Sequence, residues 1–351
     1  MELVCVKQGW FSDKNHKIIY AGEIMSIKKD VLAMLEKHRG NYFSGEELAE
    51  QLGVSRTAVW KAVRALEQEG YEILAGKNKG YCLPKESDLL SKEGICNYLP
   101  EEYKDLPLFV YRETDSTNTL AKQAANTGQQ APAVYVAAMQ TAGRGRRGRS
   151  FVSVPGGNIC MSFLLKPKLA ATDAVFLTTA TCVAVHRAIR KATGIICEIK
   201  WVNDLYYRGK KVCGILTEAV TDCETGMVDC VIPGIGINFN IMPEQFPEEL
   251  KEIAGALYTG DKRIDVTRNY LAAEIIVQMF KILTELPEKS FLGEYRAHSM
   301  LLGKKIYIYA GDRAEKATAV GIDENGGLVV ELEGGERRVL TTGEVTVRVT
   351  E

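Results

Sequence analysis

Apolar residues recur at helical spacing in the first part of the chain and change to short continuous or alternating runs in the rest. That change divides the sequence. Within residues 26–83, Val31, Leu32 and Leu35 recur at three and four residues and predict one apolar helix face that ends near Gly40. Ser44, with Glu47 three residues on, reads as a capping box for a short helix carrying Leu48, Ala49 and Leu52. Gly53-Val54 makes a turn and Ser55 caps the next helix. On it Val59, Val63 and Leu66 face inward, while Arg56, Trp60 and Arg64 share another face with Lys61 beside them. Two short runs, 71–74 and 81–83, then flank a glycine turn bearing Lys77 and Lys79. The pattern predicts a helix-turn-helix followed by a wing.

Residues 85–104 are rich in charge, with a small apolar patch at Leu89 and Leu90, and read as a linker with one helix. From Leu106 strands and helices alternate: a strand at 108–111, a polar turn at 113–118, a helix at 119–125 and a buried strand at 134–138. A strand at 159–165, a long, nearly apolar helix at 172–192 stopped by Gly194, and a strand ending at Asn203-Asp204 follow. A lysine-bearing hairpin at 210–218, an apolar strand at 231–238 containing Gly234 and Gly236, and a helix at 270–286 complete this part. Strands at 305–309, 317–322, 328–332, 337–341 and 345–349, separated by glycine turns, suggest a small barrel of the SH3 kind. The predicted class is multidomain α+β: a winged helix-turn-helix over 25–84, a linker over 85–104, a central mixed-sheet α/β domain over 105–301 and an SH3-like β-barrel over 302–351. Residues 1–24 have no clear period and read as a possible non-native extension. Codons for Ala21-Gly22-Glu23-Ile24 can spell a ribosome-binding sequence, so Met25 is the expected start.

The 351 residues are 46% hydrophobic and 25% charged, ordinary for a soluble chain of several domains. A net charge of −1 gives no global attraction to nucleic acid. Residues 25–84 carry 9 basic and 8 acidic side chains, so DNA binding rests on Ser55, Arg56, Thr57, Trp60, Lys61, Arg64, Lys77 and Lys79 lying on one side. A helical protein-interaction module is the other reading of that segment. Nine cysteines, an odd number without a CxxC pair, point to reduced thiols in the cytoplasm. The four histidines are scattered with no HExxH, so no resident metal is expected. No run approaches the roughly 18 apolar residues of a membrane span, and no membrane partner is expected.

The densest chemistry is at Gln140 to Arg149, QTAGRGRRGR, where four arginines and three glycines fall in residues 143–149. Glycines let backbone N–H groups approach a ligand, and guanidinium forks suit carboxylate and phosphate. Alone, such a loop reads rather as a solvated or nucleic-acid-binding basic stretch, and what comes before and after it reverses that reading. Asp115-Ser116-Thr117-Asn118 can cap a helix or present polar groups at a pocket mouth.

With DSTN at 115–118, KWVNDLY at 200–206, KKVCGILTE at 210–218, GIGIN at 234–238 and GEVTVR at 343–348, the chain resembles the bifunctional biotin protein ligase and biotin operon repressor family from Met25 to Glu351. The resemblance implies a class II synthetase-like central domain that makes biotinyl-AMP from biotin and ATP with Mg²⁺. A lysine of the biotin carboxyl carrier protein of acetyl-CoA carboxylase would then take the biotin. It implies biotin contacts at Ser116, Thr117, Asn118, Gln140, Gly143, Arg144, Gly145, Arg146, Lys211, Gly214 and Gly234. Adenylate contacts would come from Arg146, Arg147, Arg149, Phe151, Asn203, Lys211 and Asn238, with Arg144, Lys211 and Asp204 catalytic. It further implies a homodimer promoted by biotinyl-AMP that represses biotin genes at operator DNA. Phe151 stands where the family commonly has Trp, and Val202 where it usually has Pro. The competing readings are a lipoate or octanoate ligase of the same fold, a biotin sensor with a disabled site, and a ligase whose winged helix no longer binds DNA.

Overall fold

The structure is a computed structural model that describes residues 11–12, 18–19, 21–76, 79–166, 174–221, 228–260, 266–310, 313–341 and 345–349. Lys77, Gly343 and Glu344 lie outside the described residues. Contacts divide the chain into two units, Met1–Asn97 and Tyr98–Glu351.

In the first unit β1 (Phe11–Ser12) pairs antiparallel with β2 (Ile18–Ile19). Helix α1 (Ala21–Lys37) begins five residues ahead of the expected segment. Val31 and Leu35 pack with Leu48 of α2 (Gly45–Leu52) and with Val59, Val63 and Leu66 of α3 (Arg56–Gln68). Local chemistry sets these helix ends. Ser44 Oγ accepts from Glu47 N while the Glu47 carboxylate accepts from Ser44 N, and Gly53 ends α2 with φ 65°. Ser55 Oγ accepts from Ala58 N. Each such cap is worth about 1 kcal/mol. The wing is β3 (Leu74–Gly76) paired with β4 (Gly80–Cys82). Phe43 and Tyr81 exchange backbone bonds of 2.9 and 2.8 Å beside it. That closeness demands glycine next door: Gly80 has φ +92°, and a Cβ there would lie 1.9 Å from Phe43 O. Helix α4 (Lys92–Cys96), capped by Ser91, packs on α1.

The second unit is built on a seven-stranded mixed sheet, formed by β5 (Leu108–Tyr111), β6 (Ala133–Ala137), β7 (Asn158–Leu164), β8 (Glu198–Lys200), β9 (Asp204–Tyr207), β10 (Lys210–Thr221) and β11 (Val228–Asn238). Its order is β5-β6-β7-β11-β10-β9-β8, with β5 and β6 parallel and the other pairs antiparallel. Helix α5 (Thr117–Asn126) starts two residues before the expected 119 and packs on β6, β7 and β11. The apolar helix α6 (Ala174–Thr193) is covered by α7 (Arg268–Glu285), α8 (Leu292–Ala297) and β10. That explains why it carries almost no polar face.

The C-terminal strands β12 (Lys305–Ala310), β13 (Arg313–Ile322), β14 (Leu328–Leu332), β15 (Arg337–Leu340) and β16 (Val345–Val349) form an antiparallel sheet in the order β15-β14-β13-β12-β16. All five expected strands are present, with β15 and β16 as edges. Trp201 Nε1 donates to Gly326 O at 2.9 Å and Arg296 Nε to Ile322 O at 2.9 Å, joining this sheet to the central domain. The described cysteines are free thiols. No described helix is long and apolar enough to cross a membrane.

Candidate functional sites

After β6 the arginine loop folds back on itself: Gly145 N donates to Arg149 O at 2.7 Å and Phe151 N to Gly143 O at 2.9 Å. A Cβ on Gly143 would sit 2.6 Å from Phe151 O, so this closure needs glycine. Arg147 lies in the left-handed region, φ 59° and ψ 39°, rarely adopted by a side-chain-bearing residue. Two arginines pin the loop. Arg144 Nη2 donates to Thr119 Oγ1 at 3.2 Å and to the Glu218 carboxylate at 3.3 Å. Arg146 Nη1 donates to Asn203 Oδ1 at 3.2 Å. Burial lowers the Arg146 pKa, Asp204 opposes that, and Arg147 and Arg149 add to the lowering. The side chains of Arg147 and Arg149 are on exposed residues.

Beside the loop runs a buried polar chain. Thr117 N and Oγ1 lie 2.8 and 3.1 Å from Gln140 Oε1, and Ser162 Oγ lies 2.7 Å from Thr117 Oγ1 and 2.6 Å from Asn118 Oδ1. The two hydroxyls have one proton each for three contacts. The backbone N–H of Thr117 satisfies Gln140 without help, which frees the Thr117 proton for Ser162 and the Ser162 proton for Asn118. Asn118 Nδ2 then donates to Leu216 O at 3.2 Å and to Glu218 Oε2 at 2.7 Å. Ser116 is buried at the N-cap of α5 without a side-chain capping bond.

Glycines on β10 and β11 open room for these side chains. A Cβ on Gly234 would lie 2.0 Å from Asn118 Oδ1, and one on Gly236 would lie 2.7 Å from the Phe151 ring. One on Gly214 would lie 3.1 Å from Lys211 Nζ, which folds across that position to within 2.6 Å of Asp204 Oδ1. The amides of Asn203 and Asn238 hold backbone: Asn203 Nδ2 donates to Ile215 O at 2.7 Å and Asn238 Nδ2 to Gly255 O at 2.8 Å. The Trp201–Val202 peptide is cis.

The fold thus brings Thr117, Asn118, Gln140, Arg144 and Gly234 into one network, Arg146 onto Asn203, and Lys211 onto Asp204. Sequence reasoning did not single out Thr119, Ser162 or Glu218. Glu218 carried a signal, as the one carboxylate of an otherwise apolar strand segment; Ser162, inside an apolar run, carried none.

On the first unit, Arg56, Thr57, Trp60 and Arg64 are exposed on α3, with Trp60 at 50%. The Arg64 guanidinium lies 5.7 Å from the Trp60 ring centre and pairs with Glu67 at 2.8 Å. Lys61 is half-buried, and Ser55 spends its hydroxyl on the cap. Lys79 is exposed on the wing with its Nζ 5.7 Å from the Tyr42 ring. One face thus carries cations and an aromatic ring.

Residues 110–238 match the biotin/lipoate A/B protein ligase family, residues 28–82 a helix-turn-helix domain and residues 302–348 the biotin protein ligase C-terminal domain. The chain is 33% identical over 323 residues to the bifunctional ligase/repressor BirA of Bacillus subtilis, covering 90% of this chain and 97% of that protein. It is 30% identical over 300 residues to BirA of Escherichia coli, covering 84% and 90%. The biotin protein ligase from Aquifex aeolicus, solved in complex with biotin and ATP, aligns with a TM-score of 0.59 at 30% identity over 70% of this chain and 99% of its own. With the same domains in the same order over nearly the full length of the bacterial relatives, the chain belongs to the biotin/lipoate A/B protein ligase family, as one of its bifunctional ligase/repressors.

Proposed function

We propose that biotin and ATP are joined between the arginine loop and β10. The chain is an ATP-dependent biotin protein ligase: it forms biotinyl-AMP and pyrophosphate, then transfers biotin to a lysine of the biotin carboxyl carrier protein, and its helix-turn-helix acts on operator DNA. The observation that carries the placement is the two-point attachment of the loop, Arg144 on Glu218 and Arg146 on Asn203. Both cations already rest on anionic or carbonyl acceptors of the kind that a carboxylate and a phosphate would replace.

Adenylation brings two anions together, a carboxylate and a triphosphate, and their repulsion grows as oxygen approaches phosphorus. Arg144 exchanges Glu218 for the biotin carboxylate, and Lys211 reaches the carboxylate and α-phosphate oxygens. Ser116, Thr117, Asn118 and Gln140 orient the ureido ring beside the backbone of Gly143 and Gly145, while Gly214 and Gly234 make room for Lys211 and Asn118, the side chains that meet it. Arg146, Arg147, Arg149, Phe151, Asn203 and Asn238 take the adenylate. Asp204 keeps Lys211 folded across Gly214. It gives one oxygen to that pair, and a single carboxylate with substrate phosphates is the ligand set Mg²⁺ favours, so Mg²⁺ would be held there to offset phosphate charge. The domain bounds follow the sequence: a winged helix over 25–84, a linker over 85–104, the catalytic domain over 105–301 and a C-terminal domain over 302–351. The protein works in the cytoplasm.

Carrier biotinylation with ATP and Mg²⁺ tests the site. Arg144→Ala and Lys211→Ala are each expected to slow transfer on the order of 10² or more, the scale of losing one oriented donor to a developing charge. Wild-type rates in both variants would overturn the placement. Bound biotinyl-AMP neutralises the arginine loop and, by ordering it, promotes a homodimer that presents two winged helices to a two-fold operator. Sedimentation should then show more dimer with biotin and ATP than without; unchanged sedimentation refutes this.

A further inference from the structure

The fold gathers three ligating side chains that the sequence scatters. His186 lies on α6, while Glu294 of α8 and His298, its C-cap, are four residues apart and share a helix face. Their candidate ligand atoms all lie within 4.8 Å of one another. We propose that His186, Glu294 and His298 form a binding site for a divalent transition metal of the zinc class, independent of the ligase reaction.

The observation that asks for a ligand is His186. Its side chain is fully buried, and neither ring nitrogen has a hydrogen-bond partner. Buried polar atoms are nearly always satisfied, because an unmade bond there costs about 1–3 kcal/mol. The nearest ring is that of His298, with centroids 4.1 Å apart and planes tilted by 33°. His298 and Glu294 thus face His186, with the Cys197 backbone and Arg190 also beside it.

Two imidazoles and one carboxylate, with an open fourth position for water, are a ligand set zinc accepts. The carboxylate is already oriented. Glu294 Oε2 accepts from Arg187 Nε at 2.7 Å, and Arg187 is itself held by Glu285 at 2.5 and 3.1 Å. That leaves Glu294 Oε1 for an ion, with an outer support of the sort that fixes metal ligands. Tetrahedral bonds of about 2.1 Å put ligand atoms roughly 3.4 Å apart. Closing the present spread thus takes about an ångström of side-chain movement, and half-buried His298 has the freedom to supply it.

An ion here would staple α6 to α8. The end of α8 is also stitched to β8, since Ile199 N donates to His298 O at 2.8 Å and Met300 N to Ile199 O at 2.9 Å. The site therefore acts on stability of the scaffold and touches no group assigned to the substrates.

The test uses the full chain, stripped with a chelator. Zn²⁺ is titrated against a chromophoric chelator, Co²⁺ is added for its visible spectrum, and thermal melting is followed with and without Zn²⁺. The expected result is one tight equivalent of zinc, a cobalt spectrum of nitrogen and oxygen ligands, and a raised melting temperature. His298→Ala and Glu294→Gln should each weaken zinc on the order of tenfold or more. Metal-free melting and biotin transfer of His298→Ala should stay at wild-type values, which separates ligand loss from misfolding. Zinc binding equal in wild type and His298→Ala, or a cobalt spectrum dominated by thiolate charge transfer, would overturn the assignment, the latter by placing the ion on cysteines.

Discussion

Replacing Gly234 with alanine tests the polar chain at its tightest point. Gly234 sits in β11 between Leu216 of β10 and Ser162 of β7, paired to both, so the backbone has no room to retreat. An added Cβ would lie 2.0 Å from Asn118 Oδ1, 2.7 Å from its Cγ and 3.0 Å from its Nδ2. Real Cβ atoms do not approach so closely, so the Asn118 amide must swing out. It would leave Ser162 Oγ, Leu216 O and Glu218 Oε2, which it meets at 2.6, 3.2 and 2.7 Å in a side chain now only 4% exposed. At about 1 kcal/mol for each neutral bond and about 2 for the one to a carboxylate, the gross loss is about 4 kcal/mol. Repartnering and solvation return part of it, so about 2–4 kcal/mol should appear in urea unfolding. If Asn118 also orients biotin, affinity should fall at least about tenfold, or about 1.4 kcal/mol, by ligand titration. The cycle with Asn118→Ala decides the cause. Truncating Asn118 removes the three atoms that lie nearest the added methyl, so the double variant should lose at least about 1 kcal/mol less than the sum of the singles. Strict additivity, or a Gly234→Ala protein that unfolds and binds biotin like wild type, would refute the reasoning.

Gly80→Ala combines a φ of +92° with a Cβ 1.9 Å from Phe43 O, and should cost the wing about 3 kcal/mol or more. Operator DNA binding, read by fluorescence anisotropy, should fall while biotin transfer persists; intact DNA binding would contradict the packing. The buried His186 ring gives a pH dependence. Its pKa is pushed down to about 4, chiefly by burial and next by His298, against support from Glu294 and the Cys197 backbone and a further lowering by Arg190. The Cys197 backbone acts without reaching hydrogen-bond geometry. The unfolded chain takes this proton near pH 6.5 and the folded chain only near about 4, so the contribution is whole above about 6.5 and lost as pH falls through that window, by up to about 3 kcal/mol. Urea unfolding of metal-free protein across that range should show the slope, and His186→Leu should flatten it; equal slopes would remove His186 as the cause.

The sequence was most readable where structure is made by neighbours. Ser44 with Glu47, and Ser55 with Ala58, form bonds over three residues, and a capping signal needs no knowledge of the rest of the chain. The arginine loop was readable as anion-binding from its composition, with four guanidinium groups and no acid, and its ligand only from the motifs around it. What joins it to the sheet was not. Glu218 meets Asn118 across 100 positions and Arg144 across 74, and only the strand order puts those side chains together. His186 and His298 failed the same way, their convergence set by the packing of α6 on α8.

The glycines of β10 and β11 mark the boundary between the two cases. An apolar strand containing Gly234 and Gly236 says that something approaches closely, and it does. The neighbours that use the space are the protein's own Asn118 and Phe151, one from α5 and one from the arginine loop. Both come from segments to which the family resemblance assigns ligand contacts, and on that assignment the gaps in the sheet and the groups that fill them belong to one device. The strands supply vacant Cβ positions, and the loop and helix supply the side chains that meet there. A substitution on either side should therefore be felt by the other, which is the coupling that the Gly234 and Asn118 cycle measures.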